Sequence, residues 1–151
     1  MQLSYLQPHR KVSREVKSSD LPRLRWMSKL MYDILKNPPA RYERGFAITH
    51  SQVNSRDPLR FFVTDAGIII VNPKIMVHTN HPIKSMEGCL TYPFQPKVQV
   101  DRWNKCVVRY LYIDEKGELS DYQEENLNGT QAIIFQHEID HFNGKYVYDE
   151  K

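Results

Sequence analysis

At 151 residues the chain fits one domain, and its 40% hydrophobic content is enough to build a core. The net charge of +3 is unevenly spread: residues 1–45 carry ten Lys/Arg and four Asp/Glu, whereas 113–151 carry three Lys/Arg and ten Asp/Glu. No apolar run reaches the roughly 18 residues of a membrane span, so no membrane partner is expected.

The opening MQLSYLQPHRKVSREVKS is basic but has neither an apolar stretch nor a small-residue cleavage site, so it does not read as a secretory signal. Its charge reads as the solvated face of a first helix. No arginine–aromatic interleaving points to a specific nucleic acid, and a transient ribosome contact is the other use this basic end allows. The two cysteines, Cys89 and Cys106, suit a reducing cytoplasm.

Residues 21–36 place Leu24, Met27, Met31, Ile34 and Leu35 at three- and four-residue spacing. This predicts an amphipathic helix with Asp20 as N-cap, Pro22 near its start and Asn37-Pro38-Pro39 as its stop. Residues 60–71 predict two strands around an Asp65–Gly67 turn, the second ending at Asn72–Pro73. Residues 97–101 and 105–113 alternate like antiparallel strands, and a further strand is predicted at 118–122. Strands followed by a late helix give an α+β class, with antiparallel sheets around a buried C-terminal helix in a single domain over 1–151.

That helix is predicted over about 129–142, with Asn128 as its cap, Gln131 as the capping-box partner and Asn143–Gly144 as its stop. Ala132, Ile133, Ile134, Phe135, Ile139 and Phe142 surround it, so it should be buried. A buried helix that carries two histidines, a glutamate and an aspartate must pair or ligate them.

His137-Glu138-Ile139-Asp140-His141 is an H-E-x-x-H run. Residues four apart share a helix face, so both imidazoles reach one ion. Glu138, about one hundred degrees round from His137, can reach a water on that ion without ligating it. A catalytic metal takes three protein ligands and keeps one position open. After His141 the late carboxylates are Asp149 and Glu150. Upstream, Glu87-Gly88-Cys89-Leu90 offers a thiolate, with Gly88 allowing a tight turn. Cys106, among Val and Tyr, reads as a small buried hydrophobe. His78 and His81 read as surface polar residues.

Glu87-Gly88-Cys89-Leu90 together with Gln136-His137-Glu138-Ile139-Asp140-His141 resembles two signature motifs of the peptide deformylases, and the resemblance covers nearly the whole chain. A third motif, Gly-x-Gly-x-Ala-Ala-x-Gln, maps onto Gly45-Phe46-Ala47-Ile48-Thr49-His50-Ser51-Gln52. There Ala47 stands for the second glycine and Thr49-His50 for the alanines. The resemblance implies one divalent metal held by Cys89, His137 and His141. Fe(II) is implied in the cell, with zinc, nickel or cobalt as occupants of a purified sample. It implies Glu138 as acid/base, and Gln52 with the backbone N–H of Leu90 as oxyanion donors. The implied substrates are N-formylmethionyl nascent peptides, cleaved to formate and a free N-terminus.

Gly45, Phe46 and Ala47 are expected beside the substrate backbone. Phe46, Ile133 and Ile134 are expected to line the methionine pocket, with Glu87 at its rim or tying down the motif. Ala47 is expected to crowd the substrate or shift φ, His50 to require room and a partner, with lining the site as its lesser reading, and Asp140 to be a structural carboxylate or to orient a histidine ligand. Short forms of this kind resemble those of bacteriophages. Two other functions fit the residues: a small H-E-x-x-H zinc endopeptidase, which needs a late carboxylate or histidine ligand, and a non-catalytic metal-clipped protein that binds nascent chains or the ribosome.

Overall fold

Apolar side chains alternate along the central strands and bury both faces of one sheet. The computed structural model describes residues 11–37, 46–54, 56–89 and 95–149. In chain order the elements are α1 (Leu21–Lys36), β1 (Ala47–Thr49), β2 (Phe61–Thr64), β3 (Ile69–His78), β4 (Pro82–Glu87), β5 (Val98–Trp103), β6 (Lys105–Tyr112), β7 (Gln123–Asn128) and α2 (Gly129–Phe142). Five strands form an antiparallel sheet in the order β1-β2-β3-β6-β7, and β4 and β5 form a separate antiparallel pair. The class is α+β, with one helix early and one late.

Ile48, Phe61, Val63 and Val71 point to one face, where Leu24, Met27, Met31 and Leu35 of α1 meet them. Ala47, Phe62, Ile70, Cys106, Val108 and Leu127 point to the other, where Ala132, Phe135 and Phe142 of α2 cover them. Each fully buried Phe or Leu contributes roughly 1.5–3 kcal/mol. The β4–β5 pair lies on the far side of α2. Gln136 locks it there: its amide donates to the Trp103 carbonyl and accepts the Trp103 N–H, both at 2.7 Å. The metal-motif helix is thus held between two antiparallel sheets.

Several expected boundaries move. β3 does not stop at Asn72–Pro73 but continues to His78, with a register shift there and Asn72 at φ 51. The Asn72 side chain bonds both backbone groups of Val16, which holds this kink in place. The strand expected at 118–122 is a single bridge from Ile113 to Leu119, and the real strand is β7. β1 and β4 were not expected as strands.

Asp20 precedes α1 with helical backbone angles, because a 3-10 turn over Ser18–Asp20 feeds straight into the helix. Its carboxylate therefore accepts the Lys17 N–H and the Arg14 guanidinium instead of capping α1. Asn128 has the extended backbone of an N-cap but makes no side-chain cap bond, so the expected box with Gln131 does not form. At the other end of α2 the expected stop is present. Gly144, at φ 76, takes the left-handed conformation that reverses the chain. Among the described residues no helix is long and apolar enough to cross a membrane.

Candidate metal centre

His137 and His141 project from one face of α2 toward Cys89, just past the end of β4. The Cys89 Sγ lies 3.5 Å from His141 Nε2, and the two Nε2 atoms are 3.2 Å apart. All three ligand atoms fall within 4.8 Å of one another, and this is the His/Cys/Asp/Glu group of that kind among the described residues. Four-coordinate geometry with metal–nitrogen bonds of about 2.05 Å and a metal–sulfur bond of about 2.3 Å places such atoms about 3.3 and 3.6 Å apart. The donor set therefore fits a single ion.

The outer nitrogens show why these rings face inward. His137 Nδ1 donates to Glu87 Oε1 at 2.7 Å, and His141 Nδ1 donates to the Lys145 carbonyl at 3.0 Å. The Gly144 reversal delivers that carbonyl. With both Nδ1 protons committed, each Nε2 is left to ligate. Two bare Nε2 lone pairs at 3.2 Å repel each other unless positive charge lies between them.

Glu87 ties its segment to β5 and α2. It is buried and accepts from Arg102 Nε at 2.9 Å and Nη2 at 2.7 Å, while Arg102 Nη1 donates to Asp140 Oδ2 at 2.6 Å. Burial pushes the Glu87 carboxyl up, but the hydrogen bonds from Arg102 and His137 prevail and hold it at about 2. Burial also opposes ionisation of Cys89, yet His141 and His137 hold its thiol well below the usual range. The His137 ring is raised in turn, since its bonds to Cys89 and Glu87 outweigh burial. The centre stabilises a thiolate with positive charge beside it, which is the condition a bound cation meets.

Glu138 is buried beside the ligands, and its Oε2 has no partner among the described residues. Burial raises its carboxyl, which suits a group that must both take and return a proton. Gln52 ends a 3-10 turn over His50–Gln52 that follows β1. Its Oε1 accepts the Thr49 N–H at 2.9 Å and the Thr49 hydroxyl at 3.2 Å, so its Nε2 is the atom turned to Cys89 Sγ, 3.8 Å away.

The remaining expected residues scatter. His50 does not line the site: it is buried in the core, its Nδ1 accepts the Leu59 N–H at 2.9 Å and its ring stacks on Phe61. Ala47 does not turn its Cβ toward solvent; it packs in the cluster beneath α2. Phe46 is 61% exposed at the entry to β1. Ile133 and Ile134 are half-buried on α2, one turn before His137 and Glu138 respectively. Gly88 is outside the left-handed region, and a Cβ there would make only ordinary contact with Lys97 at 3.5 Å. Cys106 is buried. His78 is exposed and stacks on Trp103, and His81 is exposed. Gly45, Leu90 and Glu150 lie outside the described residues. Asp149 accepts the Tyr146 N–H at 2.9 Å and is not in the ligand group.

Arg102 was not among the expected residues, and Gln136 was expected only as part of the helix motif. Arg102 had a signal. It follows Val98 and Val100 at two-residue spacing on β5, so it shares their inward face and must be paired there.

The model of the polypeptide deformylase family matches residues 8–151. A peptide deformylase of Thermotoga petrophila is 40% identical over 93 residues, which are 60% of this chain and 53% of that protein. The chain thus spans about half the length of the first curated relatives it matches. The crystal structure of peptide deformylase from Thermotoga maritima is similar with a TM-score of 0.76 at 30% identity, covering 93% of this chain and 88% of that one. A solved structure from a Synechococcus phage has a TM-score of 0.72 at 26% identity, covering 91% and 88%.

Proposed function

The chain belongs to the polypeptide deformylase family, and from that premise we propose that it is a metal-dependent hydrolase removing the N-formyl group from the N-terminal methionine of newly made polypeptides. The observation that carries this reading is the convergence of Cys89 Sγ, His137 Nε2 and His141 Nε2 with both Nδ1 protons already committed. Thiolate and imidazole donors suit iron, zinc, nickel and cobalt, and we take Fe(II) as the metal in the cell, with the others as occupants of a purified sample.

When bound, the metal supplies Lewis acidity to a water and to the formyl oxygen. The chain's own residues do the rest. Glu138 takes a proton from the attacking water and returns it to the leaving amine, so that formate and a free N-terminus leave. The Gln52 amide donates to the developing oxyanion, with the Leu90 N–H as the second donor implied by the family resemblance. Among the described residues β1 is an edge strand, and an extended peptide can pair along it as an added strand beside Phe46 and Ala47, with Gly45 next in sequence. Ile133 and Ile134, one helical turn before His137 and Glu138, offer apolar surface for the methionine side chain.

This reading carries a cytoplasmic setting, where nascent chains are made, and the basic residues of 1–45 offer a surface for transient ribosome contact. The likeness to the Synechococcus phage structure supports a phage source.

Formate release from a formyl-Met peptide, measured with protein loaded with iron anaerobically, tests the activity, with an acetyl-Met peptide run in parallel. Release from the formyl peptide alone is expected. Absence of release from either would favour a non-catalytic metal-clipped binder, and cleavage of an internal peptide bond would favour a zinc endopeptidase. The endopeptidase reading also needs a late ligand, and Asp149 is occupied in a turn.

A further inference from the structure

The turn that presents Gln52 is held from behind by a histidine standing where the family motif has alanine. His50 is 0% exposed. Its Nδ1 accepts the Leu59 N–H at 2.9 Å, and its ring lies against Phe61 with centroids 4.9 Å apart and planes 21° apart. Its carbonyl accepts the N–H groups of Val53 and Asn54 at 3.0 and 2.9 Å, closing the turn. Since Leu59 is the donor, Nδ1 is bare and the proton of the neutral ring is on Nε2. That Nε2 has no partner among the described residues. A side chain wanted only for bulk would not leave a buried donor unmatched, because an aliphatic group fills space without that cost. What His50 supplies and an apolar side chain cannot is the Nδ1 acceptor.

The partner it grips is itself fixed. Arg14 N–H donates to the Pro58 carbonyl and Arg60 N–H to the Arg14 carbonyl, on either side of Leu59. Arg14 and Arg23 both grip the Asp57 carboxylate. Residues 57–60 therefore form a wall tied to the segment before α1, and His50 fastens the 3-10 turn to that wall. At the other end of the turn, Gln52 Oε1 is engaged by Thr49 and its Nε2 faces Cys89.

We propose that His50 is a positioning residue for the Gln52 amide: its Nδ1 bond to Leu59, with its stack on Phe61, fixes the turn that aims Gln52 Nε2 at the reacting carbonyl. The catalytic consequence rests on the deformylase reading; the positioning itself does not.

Two substitutions separate the acceptor from the bulk. His50→Asn keeps a hydrogen-bond acceptor near the Nδ1 position, and His50→Phe keeps the stack but loses the acceptor. The Thr49 N–H, bonded to Gln52 Oε1, reports the order of the turn without any turnover. Its amide exchange is expected to speed up about tenfold or more in His50→Phe, to stay within about threefold of wild type in His50→Asn, and to change while the Val108 amide does not. In formate release, His50→Phe is expected to lower kcat about tenfold with KM unchanged, and to have no further effect in a Gln52→Ala background. Should the phenylalanine variant not fold, His50→Leu removes the same acceptor with less volume. Unchanged Thr49 exchange in the variant without the acceptor overturns the proposal, as does an equal loss of kcat with Gln52 already removed. Wild-type protein that releases no formate would defeat the deformylase reading alone, and Thr49 exchange would still decide the positioning claim.

Discussion

Glu87 Oε1 accepts the Nδ1–H of His137 at 2.7 Å across a sequence separation of 50 residues. This bond joins the segment that supplies the thiolate to the helix that supplies the imidazoles. It also fixes the tautomer that leaves His137 Nε2 bare and able to ligate a metal. Removing the carboxylate should therefore act on the metal. Glu87→Ala is expected to weaken metal affinity about 10- to 100-fold. Glu87→Gln, which keeps an acceptor, should lose less. Competition with a graded series of chelators measures both, and unchanged affinity in the alanine variant would contradict the assignment.

Arg102 bridges Glu87 and Asp140 with 7% of its side chain exposed. Its loss leaves the Glu87 carboxylate buried with one partner fewer. Arg102→Ala is expected to destabilise the fold by about 3–5 kcal/mol, the usual cost of breaking a buried pair from one side. Asp140, whose side chain is 40% exposed, holds the outer end of the same arginine. Solvent screens that contact, so Asp140→Asn is expected to cost about 1 kcal/mol or less. Urea unfolding of the two variants gives the comparison; equal costs would show that the buried half of the bridge has no special weight.

His50 predicts a pH dependence of stability. Burial, then the nearby Arg23, lowers its pKa from 6.5 to about 3. In that range the folded protein keeps the ring neutral while the unfolded chain protonates it. The unfolded state binds more protons, so stability falls as pH drops below 6.5 and goes on falling toward about 3. At about pH 5 this loss amounts to about 2 kcal/mol relative to about pH 7. His50→Asn has no such ring, so its stability should fall less over the same interval. Urea unfolding of both proteins at the two pH values reads the difference, and parallel losses would contradict it.

The metal-motif helix was legible because its chemistry is local. His137 and His141 lie four apart on one face, and Asn143–Gly144 marks the stop. Cys89 became legible through the residues around it. Glu87 was expected to tie down the motif, but its partners were not legible, because they arise from pairing between distant segments. Glu87 and Arg102 come together through the register of β4 with β5, which pairs Glu87 with Val98 and Ile83 with Arg102. β4 begins at a proline and buries only Glu87, so it carries no apolar alternation. β7 buries only Leu127 among polar neighbours, which moved its expected position upstream. At Asn72–Pro73 a strand was expected to end, yet the Val16 backbone holds the kinked chain within the sheet. His50 was expected to need room and a partner, and its nearness to Gln52 in sequence gave it a lesser claim to the site; the room and the partner, Leu59, lie in the core. In the 3-10 turn the two side chains diverge, one into the core and one toward Cys89.

Glu138 is a buried carboxylate beside Cys89, His137 and His141 and outside their group. The most direct test is formate release by metal-loaded Glu138→Ala, with metal content measured on the same sample. The predicted result is wild-type metal content with a rate lower by about 10²- to 10⁴-fold. A variant that keeps both its metal and its wild-type rate would contradict a proton-transfer role for Glu138.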